Sequence, residues 1–98
     1  MRRAAKVDAN QASIIEDLRL IPDCSVLVLS GVGKGCPDIL IGYRGANLLV
    51  ELKNPETIRG EKPETIERQK RFRDGWKGQV LRAYSFMDIL NFMTKGAA

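Results

Sequence analysis

The stretch PDILIGYRGANLLVELK, residues 37–53, decides the fold. Two apolar runs, 37–42 and 48–53, are separated by Tyr43, Arg44, Gly45, Ala46 and Asn47, which predicts an antiparallel hairpin. Such an apolar pattern leaves no place for charge, yet Asp38 opens one strand and Glu51 and Lys53 close the other. Residues two apart on a strand share a face, so Glu51 and Lys53 project together while Val50 and Leu52 face the opposite way. The register decides whether Asp38 joins them. With the turn centred between Arg44 and Gly45, Ile41 pairs with Leu48, Ile39 with Val50 and Asp38 with Glu51, and all three charges share one face. A slip of one residue, such as a bulge produces, sets Asp38 opposite Leu52 and separates the carboxylates.

The flanking segments supply the rest of a domain. Asp8 and Gln11 resemble a capping box, and Ala12, Ile15 and Leu18 recur at helical spacing, predicting a helix over about 8–20 that Pro22 and Asp23 stop. Residues 24–30 form a β-branched, nearly all-apolar run of the kind found in a strand covered on both faces. Gly31, Gly33 and Gly35 then break the chain. After the hairpin, 54–63 is a polar loop, and 65–76 places Ile66, Gln69, Phe72 and Arg73 at the spacing of a second, basic helix. Residues 79–84 read as a fourth strand, and Ser85 with Asp88 caps a last helix whose apolar face is Phe86, Ile89, Leu90 and Met93. The order is αβββαβα, one α/β domain over 1–98, with 1–7 and 95–98 expected to be flexible.

Composition narrows the chemistry. The 98 residues carry 16 Lys and Arg against 12 Asp and Glu, a net +4 that favours a polyanionic partner. The absence of histidine excludes Ser-His-Asp and Cys-His catalysis, and two cysteines without CxxC spacing leave no four-ligand zinc site. Any metal is then hard and oxygen-bound. Cys24 and Cys36 read as at least partly buried free thiols of a reducing compartment. No run approaches the roughly 18 apolar residues of a membrane span, and 1–10 has no apolar signal core, so an intracellular protein without a membrane is expected. Gly31-Val-Gly-Lys-Gly35 only superficially suggests phosphate binding. Val28 stands where a P-loop needs its first glycine and Gly35 where it needs Ser or Thr, so no nucleotide cofactor is expected.

Two carboxylates at a sheet end repel unless a proton or a divalent cation lies between them, and Mg²⁺ takes one or two carboxylates plus waters and phosphate oxygens. A lysine on the same face can offset charge on a pentacovalent phosphate or orient an attacking water whose pKa the metal lowers. This is the arrangement a phosphodiesterase needs.

Pro37-Asp38 followed on the next strand by Glu51-Leu52-Lys53 resembles the PD-(D/E)xK nuclease signature. The Gly35-x-Pro37-Asp38 start and the helix-borne Gln69 resemble its virus-type replication-repair (VRR-NUC) branch over roughly residues 10–93. The resemblance implies a restriction-endonuclease-like core, a mixed four-stranded sheet flanked by helices, and a Mg²⁺- or Mn²⁺-dependent DNA endonuclease. Stand-alone members of this size act as homodimers on branched DNA such as Holliday junctions. Carried over by position, Asp38, Glu51 and the Leu52 backbone carbonyl would ligate metal, and Lys53 would be the catalytic lysine. Gln69 would support the site from the second helix. Glu16 on the first helix would be an accessory metal ligand, with Asp17 competing for that role.

Each residue also has a plainer reading. Asp38 suits a strand start after proline, and Glu51 with Lys53 could be a solvated same-face ion pair. Gln69 and Glu16 could be exposed helix residues. Lys34 in the glycine-rich turn, with Arg59, Lys62, Arg68, Lys70 and Arg73 beyond the hairpin, forms a basic set suited to phosphate-backbone contact. The plainer alternative there is a charged helix face with Glu64–Arg68 and Glu67–Arg71 pairs. Phe72 and Trp76 lie at helical spacing and read as core rather than as a base-stacking surface. The rival to a nuclease is a non-catalytic nucleic-acid-binding module, or a subunit of a larger repair or replication assembly.

Overall fold

The computed structural model describes residues 9–95, with side chains from Asn10 onward. The expected Asp8 cap and the expected flexibility of 1–7 and 96–98 lie outside the described residues. The order is α1 (Ala9–Arg19), β1 (Cys24–Val28), β2 (Ile39–Tyr43), β3 (Ala46–Leu52), α2 (Pro63–Gly75), β4 (Val80–Ala83) and α3 (Phe86–Thr94). A single 3₁₀ turn, Ile58–Gly60, interrupts the polar loop before α2.

Helix α1 forms because Ile14, Ile15 and Leu18 line one stripe and are buried. It tightens to i→i−3 bonds from Leu20 to Asp17 and from Ile21 to Leu18, and Asp23, at φ 63°, turns the chain into β1. Strands β1, β2 and β3 are antiparallel neighbours and β4 pairs parallel with β3, so the order β1-β2-β3-β4 is a mixed four-stranded sheet. The parallel pair requires the crossover that α2 provides.

The β2–β3 hairpin closes on Arg44 and Gly45, at φ 51° and 86°, the two left-handed positions of a type I′ turn. That turn fixes the register with Ile41 against Leu48 and Ile39 against Val50, as the sequence predicts. Ile39, Ile41, Leu48 and Val50 therefore share the face that α1 and α3 cover, with Ile14, Leu18, Ala83 and Ile89 completing the core. Leu49, Glu51 and Lys53 project to the other face, toward α2. Helix α3 begins where Ser85 Oγ accepts the Asp88 amide at 3.2 Å and Asp88 Oδ2 accepts the Tyr84 amide at 2.8 Å.

Two expectations are corrected. Helix α2 starts at Pro63 rather than residue 65, because proline at the first helical position lacks only an N–H that no intrahelical partner would take. Strand β1 is not covered on both faces: it is an edge strand, with Leu27 57% and Val28 39% exposed. Among the described residues no helix is long and apolar enough to cross a membrane.

Candidate active site

The end of β3 delivers Glu51 and Lys53 to one buried place, with relative exposures of 1% and 3%. Lys53 Nζ stands 3.1 Å from Glu51 Oε2 and donates to Gln69 Oε1 at 2.5 Å and to the Glu61 carboxylate. Arg73 of α2 donates from Nη1 to Glu51 Oε1 at 3.0 Å. Arg82, the parallel partner of Glu51 on β4, brings Nε within 3.8 Å of Oε2. Glu51 Oε2 is buried and accepts no hydrogen bond, although Lys53 sits beside it as a charge. Lys53 aims its protons at Glu61 and Gln69 instead.

Asp38 reaches this strand end by another route than direct pairing. The regular ladder stops at Ile39–Val50, and the Asp38 amide donates to the Val50 carbonyl at 3.0 Å instead of continuing it. Its side chain turns back, and Oδ2 accepts the Leu52 amide at 2.7 Å. The backbone ladder ends here, since Pro37 has no N–H to donate to a further rung, and the Leu52 amide finds its acceptor in the Asp38 carboxylate rather than in a strand carbonyl. The expected face-to-face pairing of Asp38 with Glu51 is thus replaced by a grip on the peptide that follows Glu51. Asp38 also acts on Cys36, whose thiol is pushed up by burial first and by the aspartate charge second.

Glu16 does not come to this place. It lies exposed on α1, in a shallow surface with Ala12, Ile15, Arg19, Leu20 and Val28, because Ile14, Ile15 and Leu18 occupy the inward stripe of that helix. Among the described residues no three His, Cys, Asp or Glu side chains gather to hold a metal. Neither Glu16 nor its competitor Asp17 therefore completes a three-carboxylate set. What remains at this strand end is oxygen alone: the Asp38 carboxylate, which accepts the Leu52 amide, the Glu51 carboxylate, whose Oε1 accepts from Arg73, and the Leu52 carbonyl. The buried, unbonded Glu51 Oε2 fits a hard divalent cation that keeps waters and substrate oxygens as its other ligands.

The glycine-rich turn packs against the same helix. Gly35, at φ 79°, lies so close to α2 that a Cβ would stand 2.4 Å from the Arg68 carbonyl oxygen. Between turn and helix is a cavity of about 250 Å³ lined by Gly33, Lys34, Gly35, Cys36, Thr65, Arg68 and Gln69. Lys34 and Arg68 are thereby brought together on the approach to Gln69. Arg59 and Lys62 are exposed on the loop before α2. Lys70 is spent on Asp74 at 2.9 Å, an exposed pair whose hydrogen bond pushes the lysine up and the aspartate carboxyl down. Arg73, expected at phosphate, is turned inward onto Glu51 with 24% of its side chain exposed.

Sequence reasoning missed Glu61 and Arg82. Nothing local marks Glu61, which the loop folds back onto Lys53. Arg82 carried a signal, as the one charge inside an otherwise apolar strand, Val80–Ala83. Trp76, 47% exposed, departs from the core reading, while Phe72 is half-buried beneath it. No protein-family model matches the chain, and no curated protein or solved structure is significantly similar to it.

Proposed function

We propose that this chain is a Mg²⁺- or Mn²⁺-dependent DNA endonuclease of the PD-(D/E)xK kind, similar to stand-alone VRR-NUC nucleases. On this reading it acts as a homodimer on branched DNA such as Holliday junctions. The observation that carries the reading is the burial of Glu51 and Lys53 together at the end of β3. A buried ion pair seldom stabilises a fold more than apolar side chains of the same volume, because desolvation offsets the attraction. Leu48, Leu49 and Val50, on the same strand, are buried without any such cost. Charges at 51 and 53 are therefore better explained by chemistry than by folding.

In the proposed hydrolysis a water attacks phosphorus as the bond to the leaving oxygen breaks. Lys53 offsets the charge that builds on the phosphoryl oxygens, or orients the water. Gln69 and Glu61 fix the ammonium in advance, and a charge already in place needs no reorganisation during the reaction. Arg73 and Arg82 hold the Glu51 carboxylate from α2 and β4. Asp38, Glu51 and the Leu52 carbonyl would hold the cation, which when bound supplies positive charge to the phosphate and acidifies a water.

Two incisions across a junction require two centres, which a two-fold dimer supplies. The β1 edge, with Leu27 and Val28 uncovered, has the character of such an interface. The experiment is cleavage of labelled single-stranded, duplex, flap, splayed and four-way-junction DNA with Mg²⁺, Mn²⁺ or EDTA. Cutting that needs metal supports the nuclease, and symmetric cuts across the junction support the dimer. One observation favours a second reading, a non-catalytic nucleic-acid-binding module: Lys53 is already held by Glu61 and Gln69, and Glu51 Oε1 by Arg73, as in a structural ion-pair network. That reading expects salt-sensitive binding indifferent to divalent metal, and metal-dependent cutting excludes it.

A further inference from the structure

The C-terminal end of α2 carries an exposed tryptophan stacked on a half-buried phenylalanine, beside three cations. Phe72 and Trp76 stack with centroids 5.3 Å apart and planes 15° from parallel. Phe72 also lines a surface cavity of about 330 Å³ with Lys34, Arg68 and Arg71. Trp76 packs its Nε1 edge near Gly78 and keeps 47% of its surface exposed. The 3.6 Å pair of Arg71 with Glu67 is exposed and holds its guanidinium only weakly. Lys34 and Arg68 line this cavity and also the neighbouring one that reaches Gln69, whose Oε1 holds Lys53. Lys34 and Arg68 thus stand between Gln69, which holds the candidate catalytic lysine, and Phe72 of the aromatic stack.

Cations alone would suit any phosphate backbone, duplex included. An aromatic face is different, because the bases of a duplex are already stacked and only an unpaired strand can lay a base on a side-chain ring. We propose that Phe72 and Trp76 form a stacking platform for an unpaired nucleotide, whose strand runs along Lys34 and Arg68 toward Lys53. The placement beside the cleavage site rests on the nuclease reading; the platform itself is tested by binding alone.

Trp76 is the only tryptophan, so its fluorescence reports the platform directly. The full chain is titrated in EDTA with oligo(dT), oligo(U), a blunt hairpin duplex at equal phosphate, and inorganic phosphate. Quenching by a single strand, with little change for duplex or phosphate, supports the proposal, and the tighter of the two oligomers identifies the sugar. Anisotropy of labelled strands then compares Trp76→Ala and Trp76→Phe, both checked for folding by circular dichroism. Trp76→Ala is expected to bind single strands about ten-fold more weakly and duplex unchanged, and Trp76→Phe to recover most of the loss. Equal quenching by duplex or by phosphate, or single-strand binding unchanged in Trp76→Ala, overturns the proposal. Cleavage without selective quenching removes the platform alone; selective quenching without cleavage removes the nuclease alone.

Discussion

Arg73 of α2 donates to Glu51 of β3 at 3.0 Å and so ties the basic helix to the strand that carries the charged pair. An arginine on a helix that looks built for phosphate is used to hold a carboxylate. Removing it costs a charge-assisted hydrogen bond, reduced because the guanidinium is 24% exposed, or about 1–2 kcal/mol. Arg73→Ala should therefore lower the unfolding midpoint and slow cleavage while leaving DNA affinity and its salt dependence nearly unchanged. A smaller salt slope with unaltered stability would assign Arg73 to the phosphate backbone instead.

The pair at 51 and 53 can be separated into its structural and chemical parts. Lys53→Leu leaves the buried Glu51 carboxylate to Arg73 and the more distant Arg82 and should destabilise the chain by about 2 kcal/mol, whereas Glu51→Leu with Lys53→Leu, which frees the partly exposed Arg73 to reach solvent, should recover part of that loss. Both proteins should be inactive. Denaturant melts of the two, read beside cleavage, test this; a double variant as unstable as the single would mean that the fold itself depends on the charges.

Gly33 and Gly35 both sit at positive φ, 77° and 79°, but only Gly35 touches α2. Gly33→Ala should cost about 1 kcal/mol, the ordinary penalty for a side chain in that conformation. Gly35→Ala drives a methyl into the Arg68 carbonyl and should cost more than about 2 kcal/mol, shifting α2 and with it Gln69. Thermal melts of the two variants give the comparison, and equal midpoints would contradict the tight approach.

Leu27 is exposed on the β1 edge. In the proposed dimer Leu27→Glu should leave the melt of the isolated domain within about 0.5 kcal/mol of the parent, as at other surface positions, while abolishing the dimer in sedimentation at micromolar concentration. A parent that sediments as a monomer there would remove this interface.

The hairpin was legible because two local rules agree on it. Alternation of period two placed Glu51 with Lys53, and Arg44-Gly45 set the turn that fixes the register. Helix α3 was legible for a similar reason, its Ser85–Asp88 cap being entirely local. Asp38 was legible as a site residue but its geometry was not, because the ladder ends one residue earlier than pairing alone implies. Nothing in the run 24–30 says which of a strand's faces the helices cover, since that depends on tertiary packing, and Leu27 lies open where an all-apolar run implies burial. Glu61, Arg73 and Arg82 reach the site only through the packing of a loop, a helix and a parallel strand on β3, relationships that no spacing along the chain encodes.

The most direct test sets the parent beside Lys53→Ala and Asp38→Asn on a labelled four-way junction, measuring cleavage with Mg²⁺ or Mn²⁺ and binding in EDTA. A nuclease of the proposed kind gives metal-dependent incision by the parent, loss of incision by both variants and retained junction binding by all three. Incision that persists in Lys53→Ala, or binding by all three with no incision under either metal, would contradict that reading.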